Sequence, residues 1–199
     1  MLLKEHCLNV LWITTFYLIG MFVTTEVVLP LQSLLVPNLG TFAALIFPIH
    51  GIRVLCAWMF GWWSVPYLFL ANVLMALFYA LIAKETPYLE FSSERLMSWA
   101  LVSVVALIAI ELFKSAGMHI GKGVTQIGRD TWRQLLLIGF VSSVLNSIGH
   151  SLIFSDQIIE SGQSNVMIGY LVGDTSGTLA CFFILLLLFR WYRWFAVLR

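Results

Sequence analysis

Residues 166–189, VMIGYLVGDTSGTLACFFILLLLF, form an apolar run whose only charged side chain is Asp174. A helix of about 20 apolar residues is long enough to cross the hydrocarbon core of a bilayer. Comparable runs recur along the chain, separated by short polar segments. The sequence therefore predicts an all-α integral membrane protein in which residues 1–199 form a single polytopic domain.

The overall composition favours the same class. Hydrophobic residues make up 60% of the chain, charged residues make up 11%, and the mean hydropathy is +0.93. Soluble domains carry about 25% charged residues, so this chain has too little charge to cover a water-facing surface. No polar segment is long enough for a soluble catalytic or nucleic-acid-binding domain, and we expect membrane lipids rather than nucleic acid as partners.

The apolar runs predict about six transmembrane helices, with a broken or re-entrant segment near 37–66. The region 54–83 is too long for one upright helix, and its middle contains Gly61 and Pro66, which weaken or interrupt helices. We expect a short piece over 54–63 followed by a true span, although one long tilted helix over 54–83 is the alternative. The predicted spans are 7–29, closed by Pro30, then 33–49, 66–83, 96–117, 132–154 and 166–189.

The distribution of Lys and Arg predicts the orientation. Cytoplasmic loops of membrane proteins carry an excess of these residues. With six spans, eight cations share one side and only Lys84 and Arg95 lie on the other, so both termini should be cytoplasmic in a bacterial inner membrane. The eight are Lys4, Arg53, Lys122, Arg129, Arg133, Arg190, Arg193 and Arg199. Of these, we expect Arg53, Arg190 and Arg193 to contact lipid headgroups.

Polar residues inside the spans mark a candidate ligand site, because such residues usually face a bundle interior or a wet cavity. In the fifth span, Ser143, Asn146, Ser147 and His150 share one helix face. This stripe is either one wall of a polar pocket or a set of interhelical hydrogen bonds. Our hypothesis is an outward-opening ligand site formed by Asp174, Asn146, His150 and Glu26, with Asn72 as a further candidate.

Small residues follow the sixth span at intervals of four, at Gly169, Gly173 and Gly177. Such a face lets a neighbouring helix approach closely, so we interpret it first as a packing surface. In the fourth span, Glu111 and Lys114 are three residues apart and are expected to form an ion pair, with a proton relay as the alternative.

The sequence contains none of the motifs that carry common enzyme chemistry, such as a nucleophile elbow, a phosphate loop, a dinucleotide fingerprint or HExxH. The three cysteines, Cys7, Cys56 and Cys181, lack metal-ligand spacing and are interpreted as small buried hydrophobes. We therefore expect no enzyme activity, no catalytic residues, no metal and no cofactor.

Several short motifs resemble the membrane-associated sensor (MASE-type) domains. The resemblance covers about a third of the chain and is carried by Pro37-Asn38-Leu39-Gly40, Gly51-Ile52-Arg53, Phe60-Gly61, Ser64-Val65-Pro66, Leu70-Ala71-Asn72 and Gly173-Asp174-Thr175-x-Gly177. The chain is shorter than that family's usual module, and no kinase or diguanylate-cyclase output follows. The resemblance implies a stand-alone sensory module that passes its signal to a partner protein.

Three functions are therefore open at the level of sequence. The first is a sensory or interaction module that signals to, or assembles with, another membrane protein. The second is a small-molecule transport component of the substrate-binding subunit type. The third is an accessory subunit of a larger membrane complex, for which eight tryptophans and 15 phenylalanines would supply contact area.

Overall fold

A computed structural model describes residues 2–35, 44–83, 92–118, 120, 129–155 and 163–197. Every regular element in these ranges is helical. They are α1 (Leu2–Val23), a π-helical turn (Thr24–Val28), α2 (Leu29–Leu35), α3 (Pro48–Phe60), a 3-10 turn (Gly61–Trp63), α4 (Ser64–Ala83), α5 (Ser93–Ser115), α6 (Arg129–Ile153) and α7 (Gln163–Val197). The all-α class is confirmed.

Five helical stretches of the described chain are long and apolar enough to cross a membrane, so the predicted count of six is not confirmed. They are Leu3–Leu35, Pro48–Ile82, Ser93–Ser115, Asp130–Ile153 and Met167–Trp191. The predicted span 33–49 differs most from the structure. Its first residues continue α2, its last two open α3, and residues 44–47 between them are not helical.

The first helical stretch continues past Pro30, so the prediction that this proline closes the span is wrong. A proline ring collides with the carbonyl four residues earlier and lacks the N–H that would bond to it. Here the π-helical turn Thr24–Val28 lies immediately before Pro30 and widens the backbone at Glu26. The helix therefore continues through Pro30 and ends at Leu35.

The second stretch is broken where the sequence contains Gly61. This residue ends α3 with a φ of +57°, a conformation that glycine adopts at little cost. The Ser64 hydroxyl donates to the Gly61 carbonyl at 2.6 Å and begins α4. Pro66 lies in the first turn of α4. The N–H groups of a first turn have no acceptor within the helix, so the proline removes no helical hydrogen bond.

The chain reverses direction at this break. Arg53 in α3 donates from Nε to the Tyr17 hydroxyl at 3.2 Å, and Asn72 in α4 lies beside the same hydroxyl. In one continuous helix these residues would lie about 28 Å apart, at 1.5 Å per residue. Both reach one phenol, so α3 and α4 fold back on each other against α1.

The short helix α3 occupies the centre of the bundle and contacts α1, α4, α5, α6 and α7. Its buried apolar side chains Val54, Ala57 and Trp58 pack with residues of α5, α6 and α7 in the main core cluster. A second cluster joins Ile49 and Cys56 to α1 and α4. This central position determines where the polar residues of α3 lie.

Candidate functional site

Asp174 is the centre of a buried polar cluster between α3, α6 and α7. Its side chain is 2% exposed. Asn146 in α6 donates from Nδ2 to Asp174 Oδ2 at 2.6 Å, and His50 Nδ1 in α3 lies 3.4 Å from the same oxygen. The histidine contact does not meet hydrogen-bond geometry, and Asn146 Oδ1 also has no hydrogen-bond partner.

The other ring nitrogen of His50 faces α6. His50 Nε2 lies 2.9 Å from Ser142 Oγ and 3.3 Å from the Gly139 carbonyl oxygen. One proton arrangement fits all of these contacts. The Gly139 carbonyl oxygen can only accept, and Ser142 already donates to it at 3.0 Å, so His50 Nε2 carries a proton and donates towards α6. A hydrogen bond between Nδ1 and Asp174 would then need a second proton on one of these two groups.

The order Ser142, His50, Asp174 matches the order of groups in a serine hydrolase triad. All three side chains are at most 2% exposed, so a substrate bond has no path to the serine in this conformation. The three side chains are enclosed by α3, α6 and α7 in this structure.

Arg53 extends the cluster towards α1 and α4. Its guanidinium is 6% exposed and lies over the rings of Tyr17 and Phe47, at 5.9 and 5.4 Å from their centroids. The sequence analysis placed Arg53 at the lipid headgroups, whereas the structure places it inside the bundle. The reason is the central position of α3, which surrounds this residue with helices.

His150 links the cluster to α5. Its Nδ1 lies 3.0 Å from the Asn146 carbonyl oxygen, and its Nε2 lies 3.0 Å from Ser98 Oγ. The imidazole also stacks on Tyr170 at a centroid distance of 5.0 Å. Asp174, Asn146 and His150 are thus brought together as the sequence analysis expected, but they are buried.

The polar stripe of α6 faces α7. Ser143 donates to the Leu171 carbonyl at 3.0 Å, and Ser147 donates to the Met167 carbonyl at 2.5 Å. Both bonds join α6 to α7. These two serines therefore form interhelical hydrogen bonds, which was the alternative to a pocket wall. Asn146 also contacts α7, through Asp174, and His150 is the member of the stripe that reaches another helix, through Ser98 in α5.

The small-residue face of α7 receives an extended piece of backbone rather than a helix. Phe47 donates its N–H to the Gly173 carbonyl at 2.9 Å, and Ser176 donates to the Leu45 carbonyl. A Cβ at Gly173 would collide with the Ala44 carbonyl, and one at Gly177 would collide with the Phe47 backbone. Gly169 is half-buried on the same helix.

The remaining candidates lie apart from the cluster or in a supporting position. Glu26 is exposed in the π-helical turn of the first stretch, and Arg190 is exposed near the end of α7. The side chain of Arg193 lies outside the described residues. Asn72 is buried and donates to the Leu68 carbonyl at 2.7 Å besides its contact with Tyr17.

The site residues expected from the sequence did not include Tyr17, His50, Ser98 or Ser142. Tyr17 is an uncharged residue in an apolar part of α1, so nothing in its sequence surroundings marked it. Ser142 lies beside the polar stripe but off its helical spacing. One sequence feature could have identified His50: it lies three residues before Arg53 and therefore shares its helix face.

No family model, curated protein or solved structure matches this chain.

Proposed function

We propose that this chain forms a sensory or interaction module of a bacterial inner membrane, of the kind that the MASE-type resemblance implies. The observation that carries the proposal is the buried His50–Asp174 contact, where three helices meet around one pair of titratable side chains. A change of proton or hydrogen bond there would move α3 relative to α6 and α7 together. This helix movement would transmit the signal to a partner membrane protein.

The proposal includes six membrane-inserted segments, with α3 as the short re-entrant one. Three relationships support it. Arg53 and Asn72 reach the same tyrosine, which requires a reversal between α3 and α4. Irregular backbone at membrane depth is tolerated where protein buries it, as α7 covers residues 44–47. A 13-residue α3 is only about 20 Å long, shorter than a bilayer core.

We also propose that both termini face the cytoplasm. In α1, His6 stacks on Trp63 while Gly20 lies against Ile49, so α1 runs antiparallel to α3. Gly51 lies against Thr178 and Cys181, and Phe47 against Gly173, so α3 runs parallel to α7. The start of α1 and the end of α7 therefore share one end of the bundle, and the excess of Lys and Arg favours the cytoplasm for that end.

Copurification tests the function. The tagged chain is extracted in mild detergent from the membranes of the organism that encodes it, and bound proteins and small molecules are identified by mass spectrometry. We expect a stoichiometric membrane-protein partner that is lost or weakened in Asp174→Asn, because this change replaces the carboxyl group of the cluster and keeps an acceptor for Asn146. Glu26→Gln is the matched control, since Glu26 lies outside the cluster. A partner bound equally by Asp174→Asn at normal membrane abundance would contradict the proposal.

A transport component is the second candidate, favoured by one observation. Helix α3 begins inside the bundle after the extended residues 44–47, and transporters build midplane binding sites from such discontinuous helices. The same copurification separates the two functions. A small molecule retained in place of a protein partner, and released by Asp174→Asn, would favour transport.

A further inference from the structure

A pocket of about 490 Å³ lies between the α3–α4 turn and the end of α5, away from the Asp174 cluster. Its volume falls within the range of small-ligand sites, about 300–1,000 Å³. The lining residues that carry the argument are Trp58, Gly61, Trp62, Trp63, Glu111 and Lys114. The pocket therefore combines aromatic rings with one cationic and one anionic side chain.

The pocket lies at the ends of its helices, where a bilayer has its headgroup layer. Glu111 and Lys114 belong to the last turns of α5, and Trp62 forms the turn that joins α3 to α4. Trp62 is 73% exposed and Trp63 is 58% exposed. Tryptophan is enriched at membrane interfaces because its ring is apolar and its N–H is polar. A ligand bound in this pocket can place its polar group in the headgroup layer and its apolar part among the lipid tails.

The charged side chains define the ligand chemistry. Lys114 Nζ lies 2.6 Å from Glu111 Oε1, and the two side chains remain 35% and 42% exposed. A ligand phosphate can replace Glu111 beside the lysine, while a ligand ammonium can replace Lys114 beside the glutamate. A molecule with both groups compensates both side chains, whereas a purely anionic one would leave Glu111 opposed to its charge.

Two further features favour a primary ammonium at the glutamate side. Helix α3 ends at Phe60, which lines the pocket, and the C-terminal end of a helix carries the negative end of the helix dipole. The tryptophan faces attract cations. Carboxylate and carbonyl oxygens accept hydrogen bonds from a primary ammonium, which a quaternary choline nitrogen cannot donate.

We propose that this pocket binds the headgroup of a zwitterionic phospholipid with a primary amine, the chemistry of phosphatidylethanolamine. Lys114 binds the phosphate, Glu111 and the end of α3 bind the ammonium, and Trp62 and Trp63 flank the headgroup. The acyl chains then run from the pocket into the surrounding lipid. The site is independent of the Asp174 cluster.

Native mass spectrometry of the delipidated full chain tests the proposal. The protein is offered equal amounts of phosphatidylethanolamine, phosphatidylcholine and phosphatidylglycerol in mixed micelles, and in a separate arm free phosphoethanolamine. We expect retention of the ethanolamine lipid about tenfold above the choline lipid, equivalent to about 1.4 kcal/mol. Stronger retention of the lipid than of free phosphoethanolamine identifies a membrane occupant, and the reverse order identifies a soluble one with the same headgroup chemistry.

Variants of the pocket residues show which side chain binds which part of the lipid headgroup. Glu111→Gln should remove most of the preference for ethanolamine over choline, and Lys114→Met should lower the retention of both zwitterionic lipids. Trp62→Ala changes an exposed side chain and should weaken binding even if a charge variant fails to fold. The control is Asp130→Asn with Arg133→Met, an exposed pair on α6 at 3.8 Å with the same spacing. Equal retention of the three lipids, a preference for phosphatidylglycerol, or unchanged retention and selectivity in all three pocket variants would overturn the proposal.

Discussion

The backbone N–H of Phe47 donates to the carbonyl oxygen of Gly173 at 2.9 Å, which attaches an extended stretch of chain directly to a membrane helix. This contact brings the start of α3 to the helix that carries Asp174. It requires close approach of two backbones, and the glycines of α7 supply it. The position of His50 and Arg53 inside the bundle depends on this attachment.

Gly177→Ala should strongly destabilise the protein. The added Cβ would collide with the Phe47 backbone, which cannot move without displacing α3. We expect a loss of about 3 kcal/mol or more, at the upper end of overpacking changes, measured as a fall in thermal stability in detergent. Gly20→Ala is the matched control, because its Cβ would meet the Ile49 side chain at 2.8 Å and a side chain can shift. Equal effects of the two changes would contradict the close backbone contact.

Asp174→Leu should cost more than Asp174→Asn. Leucine has a similar size but leaves the buried Asn146 amide without its acceptor. We expect about 3 kcal/mol for leucine, and about 1 kcal/mol for asparagine, which keeps an acceptor oxygen. Chemical or thermal unfolding in detergent measures both values. Leucine tolerated as well as asparagine would show that Asp174 does not organise the cluster.

Tyr17→Phe should destabilise the bundle through Arg53. The change removes the hydroxyl that accepts from the Arg53 Nε–H. A buried charged donor without its partner costs about 1–3 kcal/mol. In the double variant with Arg53→Met the loss should be smaller than the sum of the single losses, because the donor is then absent. Strict additivity would mean that the two side chains do not interact.

Thiol labelling checks the chain reversal at Gly61. Cysteines are introduced at Trp62 and at Ser93, both exposed, in a Cys7→Ala background. A membrane-impermeant reagent should label Trp62→Cys only from the cytoplasmic side and Ser93→Cys only from the opposite side, since α4 separates the two positions. A continuous span over Pro48–Ile82 would instead place Trp62 within the membrane and block its labelling from both sides.

Much of the fold could be predicted from the sequence, because membrane helices are marked by local properties. Length and hydropathy are sufficient to identify an all-α membrane protein, and Gly61 with Pro66 marks the break between α3 and α4. The polar stripe of α6 and the small-residue face of α7 were also visible as periodic patterns. The proline at position 30 misled the prediction, because a π-helical turn can absorb a proline within a longer helix.

The candidate site depended on tertiary structure for a different reason. Periodicity shows which face of a helix is polar, but not which other helices that face meets. Arg53 was expected at the lipid headgroups, whereas five helices surround α3 and bury Arg53 together with His50. Glu26 had the same sequence signature as Asp174, a carboxylate in an apolar run, yet it lies exposed. The sequence by itself thus determined that this chain forms membrane helices and where one of them breaks. Only the packing of α3 against α1, α6 and α7 decided which polar side chains are desolvated together, since desolvation depends on neighbours that are distant in sequence.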